Sequence, residues 1–274
     1  GNAFLQREIL KGKWGFTGFV VSDWGSAWEM MDHGFARDLK HAAELAANAG
    51  SDMDMESYGY VNHLKALVEE GKVTMGVVDD AVRRILRVKF ELGLIDDPYR
   101  YCDENREKTV VGSAEHHAAA LDVAKKSIVL LKNEGGLLPL SKNQQKIGLI
   151  GVLASEKNSP LGSWRFGSID SSAVSVLEGM RQISKEVAFA QGPSLVTGVV
   201  DFGQELRINE TDRTGMKEAI ALAKKSEVVV LVLGEHGLQA GEGRSRADLG
   251  LPGLQQELLE AVYAVNKNIV LVLM

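Results

Sequence analysis

The chain has 274 residues, 45% apolar and 25% charged, a composition that excludes disorder, collagen and a coiled coil. Its 31 basic and 37 acidic residues give a formal net charge of −6 with no lysine-rich arm, which argues against a nucleic-acid partner. The longest apolar runs, such as Val228–Leu233, are far shorter than the roughly 18 residues of a membrane span, so we expect no membrane partner.

The first hundred residues alternate between strand and helix signals, which is typical of an α/β domain with parallel strands. The pattern predicts strands at Phe19–Ser22 and Ser51–Met55 and helices at His41–Ala49, Val61–Glu70 and Met75–Leu92. Two strands are too few for a closed barrel. We therefore interpret residues 1–94 as the C-terminal strands and helices of a TIM-type barrel, and expect its earlier strands to lie upstream of Gly1.

Residues 95–112 interrupt this rhythm with a polar, turn-rich stretch and are predicted to be a linker. A second α/β series follows in residues 113–274. Its predicted helices are Ser113–Lys126, Val174–Ile183, Met216–Lys225 and Gly253–Val265, and its predicted strands are Ile128–Leu131, Lys146–Leu153, Val187–Ala190, Glu227–Leu233 and Asn268–Met274. Because the last run stops within a strand, we expect this domain to be incomplete as well.

Asp23 stands directly after the run Phe19–Ser22, at the carboxyl end of a predicted strand, where barrels and open sheets place catalytic groups. Trp24 beside it offers a flat apolar face of the kind on which sugar rings stack. The alternative is structural, because aspartate is also a favoured helix cap or turn residue.

The loop at residues 234–246 follows the predicted strand Glu227–Leu233 and contains four glycines, two glutamates and two arginines. Long polar loops at the carboxyl ends of strands often carry function, although a solvated charged loop would have the same composition. A nucleotide cradle is disfavoured, since the loop contains neither G-x-G-x-x-G nor G-K-[ST]. One carboxylate from Asp23 and one from this loop would suffice for glycoside hydrolysis.

Several stretches carry a resemblance to a known family. They are Lys13–Trp24, Ala46–Met55, Arg83–Lys89, Ser127–Glu134 with Leu137–Leu140, Leu161–Trp164, and Gly241–Arg246 with Leu251–Pro252. In them the chain resembles the family 3 glycoside hydrolases, close to the bacterial periplasmic-type β-glucosidases. The resemblance implies a (β/α)8 barrel followed by an α/β sandwich domain, and we expect both to be truncated in this chain.

The resemblance also implies roles for two carboxyl groups. Asp23 would be the nucleophile that forms a covalent glycosyl-enzyme, and Glu242 would be the acid/base, with Glu235 as the second candidate. An acid must keep its proton near neutral pH, so we expect Arg244 and Arg246 to point away from Glu242.

Three further residues are expected near the sugar: Trp24 and Trp164 as walls, and Ser163 as a hydrogen-bonding partner. The alternatives are a surface aromatic for Trp164 and a plain turn residue for Ser163. The resemblance implies no cofactor. None of the six histidines has metal-ligand spacing, and Asp52 and Asp54 are only a weak hint of an oxygen-ligand metal site, so we expect no metal.

The function so implied is a retaining exo-β-glycosidase, foremost a β-glucosidase acting on short β-linked saccharides or aryl β-glucosides. The alternatives are a β-xylosidase or β-N-acetylglucosaminidase of the same family, or a non-catalytic carbohydrate-binding fragment. A homo-oligomer, or an upstream segment of the same protein, is a further partner to test. We expect the isolated chain to be poorly active or inactive. The compartment is left open by the single Cys102, whereas the resemblance implies a periplasmic or secreted protein.

Overall fold

A computed structural model describes residues 1–142 and 145–274 and divides them into two compact units, Gly1–Lys126 and Ser127–Met274. The division lies C-terminal to the linker that was predicted at residues 95–112. That stretch contains a helix, Glu104–Val110, which is capped by the Asp103 side chain.

The N-terminal unit consists mainly of helices. They are a π-helix at Phe4–Lys13, α1 (Ser26–Glu29), α2 (Leu39–Ala49), α3 (Gly59–Glu69), α4 (Met75–Glu91), α5 (Glu104–Val110) and α6 (Ala114–Ser127). Helices α2, α3, α4 and α6 confirm predicted helices, whereas the π-helix, α1 and α5 were not predicted. The two predicted strands of this unit are reduced to a single parallel bridge between Val21 and Met53.

Helix α2 is the centre of packing in the N-terminal unit. It buries Ala42, Ala43, Ala46 and Ala47, and its alanines Ala43 and Ala47 share a core with Leu67 of α3. Alanine favours the helix and lets the neighbouring backbone approach closely. Asp38 caps the start of the helix, since its carboxylate accepts a hydrogen bond from the His41 amide, and Gly50 with a φ of 103° ends it, so both ends are specified locally.

Within its described residues, the C-terminal unit has six strands: β1 (Ile147–Ile150), β2 (Val187–Ala190), β3 (Val196–Thr197), β4 (Arg207–Ile208), β5 (Val228–Leu233) and β6 (Ile269–Leu273). Four of them form a parallel sheet in the order β2-β1-β5-β6, and β3 pairs with β4 as a small antiparallel hairpin. The helices are α7 (Val176–Ile183), α8 (Met216–Lys225) and α9 (Gln255–Val265). A parallel sheet with interleaved helices confirms the predicted α/β class.

Strand β5 lies in the middle of the core, and all six of its residues are buried. Val229, Leu231 and Leu233 pack in the cluster that includes α8 and α9, whereas Val230 and Val232 pack in the cluster that includes α7. A strand that is covered on both faces needs an uninterrupted apolar sequence, which is why this strand was predictable from the run alone.

The predicted strand at Ile128–Leu131 is wrong. These four residues pair with no strand in the described parts of the chain, and their side chains are 65–80% exposed. β-branched residues favour an extended backbone, but a strand also needs a neighbour that accepts its hydrogen bonds.

The sheet contains a topological switch point between β1 and β5. The chain leaves β1 towards β2 on one side, whereas it leaves β5 towards β6 on the other. The loops that follow these two central strands therefore diverge at the carboxyl edge of the sheet, which is where open α/β sheets bind their ligands.

None of the helices in the described residues is long and apolar enough to span a bilayer.

The loop after β1 gives a direct test of this packing. Gly151 has a φ of 120°, and a Cβ atom there would overlap the Val232 carbonyl group. Gly198 has a φ of 79° but no atom within 4 Å of an added Cβ. We expect Gly198→Ala to lower the free energy of unfolding by about 1–2 kcal/mol, and Gly151→Ala to lower it by more than about 3 kcal/mol. Urea denaturation followed by circular dichroism measures both, and equal losses would contradict the described packing.

Candidate active site

Asp23 lies at the end of an extended segment that is hydrogen-bonded to a second extended segment. The amide of Ser22 donates to the carbonyl of Met53 at 2.9 Å, and the amide of Asp52 donates to the carbonyl of Val20 at 2.8 Å. These bonds run in parallel register around the Val21–Met53 bridge. Asp23 therefore follows a hydrogen-bonded extended segment, although the strand predicted at Phe19–Ser22 is reduced to the single bridge at Val21.

The chain turns sharply after Asp23. Gly25 has a φ of 71°, which glycine adopts at little cost, and its amide donates to the carbonyl of Met55 at 2.8 Å. The Asp23 Oδ1 atom accepts a hydrogen bond from the Trp24 amide at 2.7 Å. Gly25, not Asp23, is the N-cap of α1, so Asp23 is not a helix cap, whereas its bond to the Trp24 amide agrees with the alternative of a turn residue.

The Asp23 side chain is exposed, and its Oδ2 atom bonds to no residue in the described part of the chain. Trp24 next to it is 68% exposed. The turn therefore offers a carboxylate oxygen and an aromatic face side by side to the surroundings.

Ser22 is a further part of this turn that the sequence did not identify. Its hydroxyl group accepts a hydrogen bond from the Met55 amide at 2.8 Å and donates to the carbonyl of Asp23 at 2.9 Å. One side chain thus joins the two segments at the point where the carboxylate is attached.

Glu242 belongs to the C-terminal unit and lies in the loop that follows β5. Its side chain is exposed and lines an open cavity of about 790 Å³. Other residues lining this cavity are Phe202, Gln204, Gln239, Arg244 and Arg246. A cavity of this volume is large enough for a small ligand.

The two arginines beside Glu242 bind elsewhere, as expected. Arg244 donates to the carbonyl groups of Phe202 and Gln204, and its guanidinium lies 5.9 Å from the centre of the Phe202 ring. Arg246 donates to the carbonyl groups of Asp248 and Gly250, both at 2.8 Å. Both guanidinium groups therefore hold backbone in place rather than binding Glu242.

Glu235, the second candidate for the acid/base, is already engaged. Its Oε1 atom lies 2.8 Å from the Nη1 atom of Arg246. Arg246 therefore holds the Glu235 carboxylate, whereas the Glu242 side chain is exposed to the cavity.

Ser163 lies against the Glu242 loop. Gly241 has a φ of 125°, and a Cβ atom there would overlap the Ser163 hydroxyl group, so the two loops are in close contact. Trp164 is 65% exposed. The structure thus brings Ser163 next to the residue before Glu242, whereas Trp164 approaches Phe202, which lines the same cavity as Glu242.

Trp164 is part of an aromatic cluster that the sequence did not reveal. Its ring centre lies 5.6 Å from that of Phe166 and 6.4 Å from that of Phe202, in edge-to-face arrangements. Phe202 lies in the loop between β3 and β4. No periodic pattern in that loop predicts that its side chain packs against Trp164. The only sequence signal was the presence of two aromatic residues, Trp164 and Phe166, two positions apart.

A second, smaller cavity of about 230 Å³ lies among the loops that follow β1 and β5. Ser159, Arg165 and His236 line it, and the Ser159 hydroxyl accepts a hydrogen bond from the Gly237 amide at 3.1 Å. Burial lowers the pKa of His236 below its ordinary value. The switch point of the sheet is therefore open between these two loops.

Gln255, a buried residue at the start of α9, fixes the beginning of the Glu242 loop. Its side-chain amide donates to the carbonyl of Gly234 at 2.7 Å, and its oxygen accepts from the Gly234 amide at 2.9 Å. This reciprocal pair sets the direction in which the chain leaves β5.

In residues 1–142 and 145–274, no group of three or more histidine, cysteine, aspartate or glutamate side chains is placed to hold a metal ion.

Two family descriptions match the chain. Residues 1–88 match the glycosyl hydrolase family 3 N-terminal domain, and residues 128–274 match the C-terminal domain of the same family. The chain is 36% identical to a periplasmic β-glucosidase of Salmonella typhimurium over 286 residues, covering 100% of this chain and 37% of that protein. It is 33% identical to a β-xylosidase of Formosa agariphila, covering 99% of this chain and 38% of that protein.

Among solved structures, it is similar to a β-glucosidase mutant of Listeria innocua in complex with laminaribiose. The TM-score is 0.86 and the identity 33%, covering 99% of this chain and 35% of that one. The chain thus spans somewhat more than a third of the length of these relatives.

The arginine contacts predict that Arg246 orders the Glu242 loop. Arg246→Gln removes an ion pair and charge-assisted bonds to two carbonyl groups, so cleavage after Glu242 by a glutamate-specific protease should become at least about tenfold faster. Arg181→Gln, at an exposed position of α7, is the matched control and should leave the cleavage rate unchanged. An unchanged rate in Arg246→Gln would show that these contacts do not order the loop.

Proposed function

This chain belongs to glycosyl hydrolase family 3, and on that premise we propose that the protein is a retaining exo-β-glycosidase, foremost a β-glucosidase. The main observation behind the proposal is the turn at residues 22–25, called the Asp23 turn. It holds an exposed carboxylate, with one oxygen free of bonds to described residues, at the carboxyl end of a strand-like segment. Barrel enzymes place their catalytic groups at such ends.

The N-terminal unit is proposed to be the C-terminal part of a (β/α)8 barrel, and the C-terminal unit to be an α/β sandwich domain. In support, the segments at Val21 and Met53 are parallel, and helix α2 connects them. That is the order of a β-α-β unit, from which such barrels are built.

In the proposed mechanism, the ionised Asp23 carboxylate attacks the anomeric carbon, and the bond to the leaving oxygen breaks as Glu242 donates a proton to it. A covalent glycosyl-enzyme results. Glu242, now ionised, then takes a proton from water, which attacks the same carbon, releases the sugar and restores Asp23. Trp24, Trp164 and Ser163 are proposed to contact the sugars.

The relatives support glucose as the sugar, since one is named a β-glucosidase and a similar β-glucosidase was solved with laminaribiose. A β-xylosidase is the second candidate, because a relative with 33% identity carries that name. A β-N-acetylglucosaminidase and a non-catalytic carbohydrate-binding fragment are the remaining alternatives from the sequence. The Salmonella relative is named periplasmic, which supports a periplasmic or secreted location.

Replacing the proposed nucleophile tests the reaction. The 274-residue chain, and a hybrid in which it replaces the matching segment of the Salmonella β-glucosidase, are incubated with a panel of aryl β-glycosides. Asp23→Asn removes the attacking oxygen anion, so release of the phenol should fall at least about a thousandfold. Asp96→Asn, in the loop after α4, is the control and should keep the rate. Equal release by the wild type and Asp23→Asn would refute the proposed role of Asp23.

Replacing the proposed acid/base tests the second role and separates Glu242 from Glu235. Glu242→Ala should lose about 10²–10⁴-fold in kcat/KM on poor leaving groups and keep most of its kcat/KM on activated ones, which need no protonation. Its kcat on activated substrates should still fall, because the water that attacks the glycosyl-enzyme has lost its base. Azide needs no base and should restore kcat by forming a glycosyl azide of retained configuration, seen by NMR. Glu235→Ala should show no azide rescue. Rescue of Glu235→Ala instead of Glu242→Ala would reverse the assignment, and a carbohydrate-binding fragment would show no turnover to lose.

A further inference from the structure

A buried ion pair lies under the Asp23 turn. The Lys11 ammonium group is 2.6 Å from the Asp52 Oδ1 atom, and these side chains are only 7% and 4% exposed. Burying two charges carries a desolvation cost that their attraction often fails to repay, so such a pair adds little to stability by itself. The other contacts of Asp52 and Lys11 therefore indicate the role of the ion pair.

The second oxygen of Asp52 binds the segment that leads to Asp23. Its Oδ2 atom accepts a hydrogen bond from the Val20 amide at 2.8 Å, while the Val20 carbonyl accepts bonds from the amides of Asp52 and Met53. Both backbone polar groups of Val20 are thus held by one short segment. Val20 is three residues before Asp23, and Ser22 and Gly25 are fixed by the same segment further along.

The beginning of the segment is held from α4. The Nη1 atom of Arg84 donates to the carbonyl groups of Phe16 and Gly18, both at 2.9 Å. Its Nε atom donates to Asp80 at 2.9 Å, and the Asp80 carboxylate lies 4.0 Å from the Lys11 ammonium group. Lys11 thus lies between the Asp80 and Asp52 carboxylates. Asp80 is connected through Arg84 to the start of the segment, and Asp52 binds the segment at Val20.

We infer that Asp52, oriented by Lys11, is a positioning residue for the reaction, because its carboxylate fixes the backbone that aims Asp23. The inference rests on the proposed function, in which Asp23 is the nucleophile. It assigns Asp52 no contact with the sugar. A displacement of about 1 Å at a reacting atom can lower a rate about a hundredfold, so one hydrogen bond at Val20 is enough to matter.

Two variants distinguish the loss of the oxygen that accepts from the Val20 amide from the loss of the buried Asp52 charge. Asp52→Ala removes both the oxygen and the charge. The double variant Lys11→Met/Asp52→Asn removes both charges but keeps a side-chain oxygen that can accept from the Val20 amide. Tyr60→Phe is the control, since it deletes a 2.7 Å bond to the neighbouring Ser51 carbonyl and leaves Val20 untouched. Turnover is measured either in the 274-residue chain or in the hybrid enzyme. The form used is the one whose activity is lost on Asp23→Asn substitution.

We expect Asp52→Ala to lower kcat at least tenfold with KM changed less than threefold, and the double variant to recover most of that loss. Hydrogen exchange of the 274-residue chain should show faster exchange at the amides of residues 20–25 in Asp52→Ala only. Exchange in β5 reports whether the rest of the chain stays folded. Tyr60→Phe should change neither kcat nor exchange at residues 20–25.

A normal kcat in Asp52→Ala would overturn the inference and leave the proposed function standing. The inference would also fall if the double variant were as slow as Asp52→Ala while exchanging normally at residues 20–25. Should Asp52→Ala not fold, the double variant decides, because a tenfold loss of kcat with normal exchange contradicts the role assigned to the acceptor. Full activity of Asp23→Asn would overturn the proposed function and this inference together. It is distinguished from failure of the inference alone, in which Asp23→Asn is inactive and Asp52→Ala keeps a normal kcat.

Discussion

The set of hydrogen bonds between residues 20–25 and 52–55 is the constraint on which the Asp23 turn depends. Val20, Ser22 and Gly25 are each bonded to the facing segment, through main-chain groups and one hydroxyl group. The β-bridge between Val21 and Met53 is a single pair, but the contacts around it extend over six residues. A carboxylate carried on such a turn is pre-organised before any ligand arrives, which is what an attack on a substrate atom requires.

In the C-terminal unit, side-chain contacts rather than a facing segment hold the loop that carries Glu242. Its parallel sheet buries β5 completely and releases the chain at the switch point into a glycine-rich loop. The loop is then tied by side chains: Gln255 at Gly234, Arg246 at Asp248 and Gly250, and Arg244 at Phe202 and Gln204. Glu242 lies between these ties with its side chain exposed. Long polar loops become usable sites when anchors of this kind restrict them.

The sequence predicted those parts whose signal is local or continuous. Helix α2 has its cap and its alanines, and β5 has an unbroken apolar run. It failed at Ile128–Leu131, where intrinsic preference favours a strand but no neighbour pairs with it. It also missed Phe202 and the Lys11–Asp52 pair, whose partners lie about 40 residues away in the chain. Contacts between distant segments leave no periodic mark, so only the folded structure reveals them.

The Asp23 turn has a consequence for how the sequence around it can vary. Met53 and Met55 take part in the bonds that hold the turn only through their carbonyl and amide groups, which every residue except proline possesses. These hydrogen bonds therefore do not depend on which side chains stand at positions 53 and 55. Substitutions at these two positions, other than proline, can thus keep the backbone bonds that hold the Asp23 carboxylate.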